Sequence, residues 1–208
     1  MTQNKNYFEL ENPLKKAFLV AFFLALLVPL YKYINALEFA HYYDFSLSID
    51  YKIPFIPQTF LIYHSWYVIT WLLALYIKNE KDLYLYFTKM FWAKFVALLI
   101  CIVLPTIAPI RPEITGNTFF DYIARQTFSI DNITCAFPSI HVTLSAISII
   151  YSLKIKNKFF LIYFILIIIS TLTTKQHLIM DFLPAIIIAY ITDIYFERNK
   201  NAYKRIKK

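Results

Sequence analysis

Apolar residues along the chain gather into six runs separated by short polar clusters, at 17–34, 60–77, 95–110, 137–153, 159–173 and 178–195. A helix rises about 1.5 Å per residue, so runs of this length cross a hydrocarbon core of roughly 30 Å once their polar ends are counted as interface. The pattern predicts an all-α, polytopic membrane protein with six crossing helices, the fifth being the shortest. Residues 1–208 then form a single integral-membrane domain, because no repeat and no low-complexity linker divides them.

Composition agrees with the pattern. Of the 208 residues, 59% are hydrophobic, 19% aromatic and 16% charged, and the mean hydropathy is +0.53. A soluble domain would spread charge along its whole length, whereas here it collects between the runs. The first run follows Lys15 and Lys16 with no Ala-x-Ala-like cleavage site after it, so it reads as a retained anchor and not a leader. Placing both termini in the cytoplasm puts Lys78, Lys81, Lys89 and Lys94, then Lys154, Lys156 and Lys158, with both basic ends, on the inner side. Only Lys32, Lys52, Arg111, Arg125 and Lys175 of the 21 basic residues then face out. The net charge of +8 is thereby a topology signal with some attraction to anionic headgroups, and no nucleic-acid partner is expected. Cys101 lies in the third run and Cys135 in the loop beyond it. They pair only if helix end and loop fold back together, so free thiols are expected. Gly116 is the only glycine, which leaves close helix packing to Ala, Ser and Thr.

Two stretches carry the candidate chemistry: Phe137 to His141, and Lys175 to Asp181. Ionisable groups at bilayer depth cost about 2.5 to 3.5 kcal/mol on the lenient insertion scale, so a cluster of them points to a functional site. The topology puts both stretches, together with Arg111 and Pro112, at the outer face. His177 and Asp181 are four apart, which on a helix places them on one face. Asp181 can then fix the tautomer of His177 and stabilise its cation. Pro138 suits the first turn of a helix, and Ser139 after it offers a hydroxyl and a backbone amide to an anion. Arg111 adds a bidentate grip on phosphate oxygens, and His141 sits where it can donate a proton to a leaving oxygen.

In this order the residues resemble the type 2 phosphatidic acid phosphatase superfamily. Its pattern is Lys-x6-Arg-Pro, then Pro-Ser-x-His, then Ser-Arg-x5-His-x3-Asp. The chain has Arg111 and Pro112, then Pro138, Ser139 and His141, then Ser170, His177 and Asp181. The resemblance implies a six-transmembrane-helix bundle. It makes His177 the nucleophile of a phosphohistidine, Asp181 its orienting partner, His141 the general acid, and Arg111 and Ser139 phosphate ligands. The family's first Lys falls on Leu104 and its later Arg on Thr171, so two phosphate-binding cations are missing; Lys175 is the candidate to replace one. The string from Ser170 to His177, and the stretch from Ile53 to Pro57 with Tyr63 after it, resemble the superfamily's inositolphosphotransferase-like branch.

Taken singly the elements have plain readings. Pro-Ser-x-His is an ordinary helix start, and His177 with Asp181 is a structural hydrogen bond in a bundle. Arg111 alone is an interfacial anchor, His64 a packed histidine, and Glu113, Asp121 and Asp131 solvated loop residues. Phe119, Phe120, Ile123 and Ala124 fall near helical spacing, which suggests an interfacial helix beside the path of a lipid. Together the elements imply a metal-independent, cofactor-free lipid phosphatase of the cytoplasmic membrane, N-in and C-in, acting at the outer face. Its substrate would be a phospholipid, polyprenyl phosphate or lipid A-type phosphate, and no protein partner is predicted. One alternative is a phosphotransferase of the same fold that passes a phosphoryl-containing headgroup to an alcohol. The other is a non-catalytic transport or metal-binding membrane protein using His141, His177 and Asp181 as ligands. The nearby Arg and Lys argue against that last reading, since they repel a cation.

Overall fold

A computed structural model describes the backbone of residues 12–206 and the side chains of residues 12–199. Lys5, Lys200, Lys204, Arg205, Lys207 and Lys208, which the topology reading places inside, therefore lie outside the described side chains. Among the described residues the architecture is helical apart from one two-residue ladder and one isolated bridge. Asn12 caps α1 (Pro13–Asn35) by accepting from the Lys15 amide, with Pro13 at the first helical position, where a missing donor costs nothing. α2 (Ser48–Lys52) is a short turn, and α3 (Phe60–Tyr76) follows a 3₁₀ turn at Pro57–Thr59. α4 (Glu80–Val103) starts where the Asn79 side chain accepts from the amides of Lys81 and Asp82. α5 (Phe119–Ile130) is amphipathic, and α6 (Ile140–Lys154), α7 (Lys158–Thr173) and α8 (Phe182–Ile206) complete the order.

Every expected run coincides with a helix, but the third is displaced. It begins at Glu80 instead of near residue 95 and ends at Val103, so Lys89 and Lys94 lie inside α4 and not in an inner loop. The reason is pairing. The Lys89 ammonium, fully buried, bonds Asp193 at 2.7 Å and Glu197 at 2.8 Å on α8, and Glu197 also takes Lys154 at 2.6 Å. Glu197 therefore belongs to the helical packing, and α8 continues well beyond the expected end of its run.

Among the described residues four segments, Pro13–Asn35, Pro57–Tyr76, Glu80–Val103 and Ile179–Asn199, are long and apolar enough to cross a membrane; α6 and α7, at 15 and 16 residues, are shorter. Large apolar side chains on α1 (Phe18, Leu19, Phe22), α3 (Val68, Trp71, Leu75) and α8 (Leu183, Ile187, Tyr190) point out of the bundle, as lipid-facing surfaces require. Inside, α6 buries Thr143, Ser145, Ser148 and Ser152, and α7 buries Ser170 and Thr171. The hydroxyls of Ser148 and Ser152 bond carbonyls one turn back, which satisfies them while keeping the helices close. Small polar residues do take the place of glycine.

Cys101 and Cys135 form a disulfide, contrary to the free thiols expected from sequence. The loop after α4 folds back on itself. Thr106 and Ile107 pair in parallel with Tyr43 and Asp44, and Ile107 bridges to Thr134. The two Cα atoms come to 5.2 Å, within disulfide range.

Candidate active site

The strand-like loop at 133–137 and the turn at 175–181 meet at one end of the bundle. His177 precedes the last helix instead of lying on it. Asp181 ends a 3₁₀ turn (Ile179–Asp181), so the pair meets through a tight turn and not along a helix face. His177 Nδ1 is 3.0 Å from the Ala136 carbonyl and 3.2 Å from Asp181 Oδ2. A carbonyl only accepts, so Nδ1 carries the hydrogen, and in the neutral ring the lone pair lies on Nε2. Asp181 is 1% exposed; its Oδ2 also accepts the Leu178 amide at 2.8 Å, while Oδ1 has no partner among the described residues.

His141 occupies the first turn of α6, its ring centroid 6.1 Å from that of His177. It stacks on Tyr63 at 4.3 Å, meets Trp66 edge-on at 5.5 Å and places Nδ1 3.3 Å from the Tyr63 hydroxyl. Its Nε2 is buried without a partner among the described residues. Val28, Tyr31, Trp66, Tyr67, Lys94, Cys135 and Ile140 line a narrow cleft together with the two histidines.

Four further sequence candidates are held differently from expectation. Pro138 precedes α6 and is not in its first turn, because Ser139 is the N-cap. Ser139 is fully buried; its Oγ accepts the Val142 amide, and its own amide donates to the Asp181 carbonyl at 3.3 Å. It thus joins the start of α6 to the start of α8 and does not aim outward. Arg111 donates to the carbonyls of Asp131 and Asn132 and to Gln176 Oε1 at 3.0 Å, and lies 4.7 Å over the Phe128 ring. Through Gln176 it is tied to the neighbour of His177. Lys175, 4% exposed, donates to the Asp50 carbonyl at 2.6 Å, away from the cleft. Burial lowers its ammonium pKa from the ordinary value, with the Asp50 charge opposing. The Asp50 carboxylate in turn accepts the Ile179 and Leu47 amides, so this clasp sets the turn that carries His177.

His64 packs against α5, its Nε2 2.9 Å from Thr127 Oγ1, as a structural histidine should. Asp131 and Asp121, expected on solvated loops, are both engaged. Tyr31 donates to Asp131 at 2.7 Å, and Asp121 makes a capping box with Thr118 at the start of α5. A model of the PAP2 superfamily matches residues 56–194.

The chain belongs to the PAP2 superfamily. No curated protein and no solved structure matches it. Among the residues lining the cleft, only Val28 and Tyr31 of α1 fall outside the PAP2 match. Superfamily membership carries phosphatase-type chemistry and, with the apolar helices, a membrane setting. Sequence reasoning missed the Ala136 carbonyl, Tyr63 as the partner of His141, the Asp50 clasp, and Lys94 in the cleft. Lys94 did leave a signal, since it is a lone cation between Phe91, Trp92 and Phe95.

Proposed function

We propose that this PAP2 protein is a membrane lipid phosphatase that hydrolyses a phosphate monoester or pyrophosphate through a phosphohistidine on His177. The observation that carries the reading is the pair of acceptors on His177 Nδ1, the Ala136 carbonyl and Asp181, which in the neutral ring leaves Nε2 as the nucleophile. Nε2 attacks phosphorus, the bond to the lipid oxygen breaks, and that oxygen takes a proton from His141. Water then attacks the phosphohistidine, with His141 acting as base and phosphate leaving. Asp181 stabilises the imidazolium that forms at His177, as the third member of a nucleophile, base and orienter set does. The 6.1 Å between the two rings is on the scale of one phosphorus with its attacking and leaving atoms.

The reading counts α1, α3, α4, α6, α7 and α8 as six passes of a single unit, N-in and C-in, in the cytoplasmic membrane. The cleft then faces the periplasm or exterior. Two features support this orientation. The Cys101–Cys135 disulfide lies at the cleft end, as an oxidising compartment favours. Lys78, Lys81, Lys156 and Lys158 gather at the other end. Candidate substrates are phospholipid, polyprenyl and lipid A-type phosphates. Ser139 and Arg111 serve this chemistry by fixing the loops that carry the two histidines.

Phosphate release from a panel of these lipids by detergent-purified protein in excess chelator, wild type against His177→Ala, tests the reading. Release that survives chelation and vanishes in the variant supports it. Release lost on chelation would instead favour a metal site. A transferred product that appears only when an alcohol acceptor is added would favour the phosphotransferase.

A further inference from the structure

α4 carries two buried lysines with opposite surroundings. Lys89 is fully buried between two carboxylates. Lys94, 6% exposed and five residues further along, has no hydrogen-bond or ion-pair partner among the described residues, yet it lines the cleft with His141 and His177. A lysine charged among apolar and aromatic walls without a counter-charge is costly, and its place in the cleft lining leaves it accessible to an anion that enters there.

The position agrees from two directions. Lys94 and Cys101 are seven apart, two helical turns, and so share a face. Cys101 is bonded to Cys135, which also lines the cleft and precedes Ala136, the residue that holds His177. The face of α4 bearing Lys94 is therefore pinned to the histidine side. The other candidate cations are spoken for: Arg111 on loop carbonyls and Gln176, Lys175 on the Asp50 carbonyl. Tyr31, Trp66, Tyr67 and Ile140 wall the cleft with apolar and aromatic surface, where a charge-assisted hydrogen bond is stronger than in water.

We propose that Lys94 is a phosphate-binding residue of this site, its ammonium gripping the non-bridging oxygens of a phosphoryl group placed between His177 and His141. It would supply, from the middle of α4, a charge that the sequence lacks at Leu104 and Thr171. The ligand class is a tetrahedral phosphoryl anion, whether a lipid headgroup or free phosphate. This inference rests on the phosphatase reading, and the two are separable by experiment.

Equilibrium binding of inorganic phosphate, and of phosphatidic acid in detergent micelles, to wild type, Lys94→Met, Lys94→Arg and Lys89→Met tests it. Lys94→Met should weaken at least one of the two by about 10- to 100-fold. Lys94→Arg should retain binding within about threefold, and Lys89→Met should bind as wild type does. Loss on both ligands assigns Lys94 to headgroup and product alike, and loss on inorganic phosphate alone assigns it to product. Because Met removes an uncompensated buried charge at similar volume, Lys94→Met should also melt no lower than wild type, which separates weakened binding from unfolding. Unchanged binding of both ligands in Lys94→Met, or binding of neither ligand by wild type, overturns the proposal. Lys94-dependent binding without ester hydrolysis by wild type would leave this site standing and remove the phosphatase reading.

Discussion

His177 is held by two acceptors with different consequences. The Ala136 carbonyl requires a hydrogen on Nδ1 whatever the charge state, whereas Asp181 adds a negative charge that matters most when the ring becomes cationic. Asp181→Asn should keep the turn, because an amide oxygen still accepts the Leu178 amide, but lose the charge. The expected result is a fall in kcat of about 10²- to 10⁴-fold with little change in KM, read from steady-state kinetics on a soluble phosphate ester. An unchanged kcat would make Asp181 a purely structural residue. The histidines and Asp181 were legible because their spacing is chemical and local. Their supports were not, since Asp50, Ala136 and Tyr63 reach the site across long sequence separations and leave no periodic trace. Ser139 shows the same limit. Its identity suggested an anion site, but the Val142 amide claims its hydroxyl as an N-cap.

Among the elements, α5 was legible only as helical spacing in a loop. The structure gives it a beginning, Thr118 and Asp121, and a docking face, Ala124 and Thr127 against Phe60 and His64 of α3. Its other face leaves Phe119, Tyr122 and Ile130 exposed, as an interfacial helix would. Thr118→Ala should cost about 1 kcal/mol in thermal unfolding by removing the cap. Truncating Phe119 and Phe120 to Ala should raise KM for a lipid phosphate and spare a water-soluble ester; equal losses on both would exclude a role at the lipid path. The third helix was misplaced for the opposite reason. Lys89 and Lys94 interrupt the apolar pattern; the carboxylates of α8 explain the charge at Lys89, and Lys94 lines the cleft.

The whole molecule is polarised. One end holds the histidine cleft and the Cys101–Cys135 disulfide, and the other the cluster of Lys89, Lys154, Asp193 and Glu197. Lys89→Ala should destabilise the fold by about 1 to 3 kcal/mol, read as a lower melting temperature, because it removes the buried member of the cluster while Lys154 still pairs both carboxylates. Replacing Cys101 and Cys135 by Ser should cost about 2 to 4 kcal/mol and also reduce turnover, since the loop beside the bond carries Ala136. Stability lost without turnover would uncouple the bond from the site. The central claim is a covalent phosphate on His177, and the most direct measurement is to trap it. Brief incubation with a radiolabelled lipid phosphate in excess chelator, followed by denaturation in alkali, should leave label on the wild-type chain, acid-labile and absent from His177→Ala. Label retained in His177→Ala, or no label while wild-type turnover proceeds, would contradict the account.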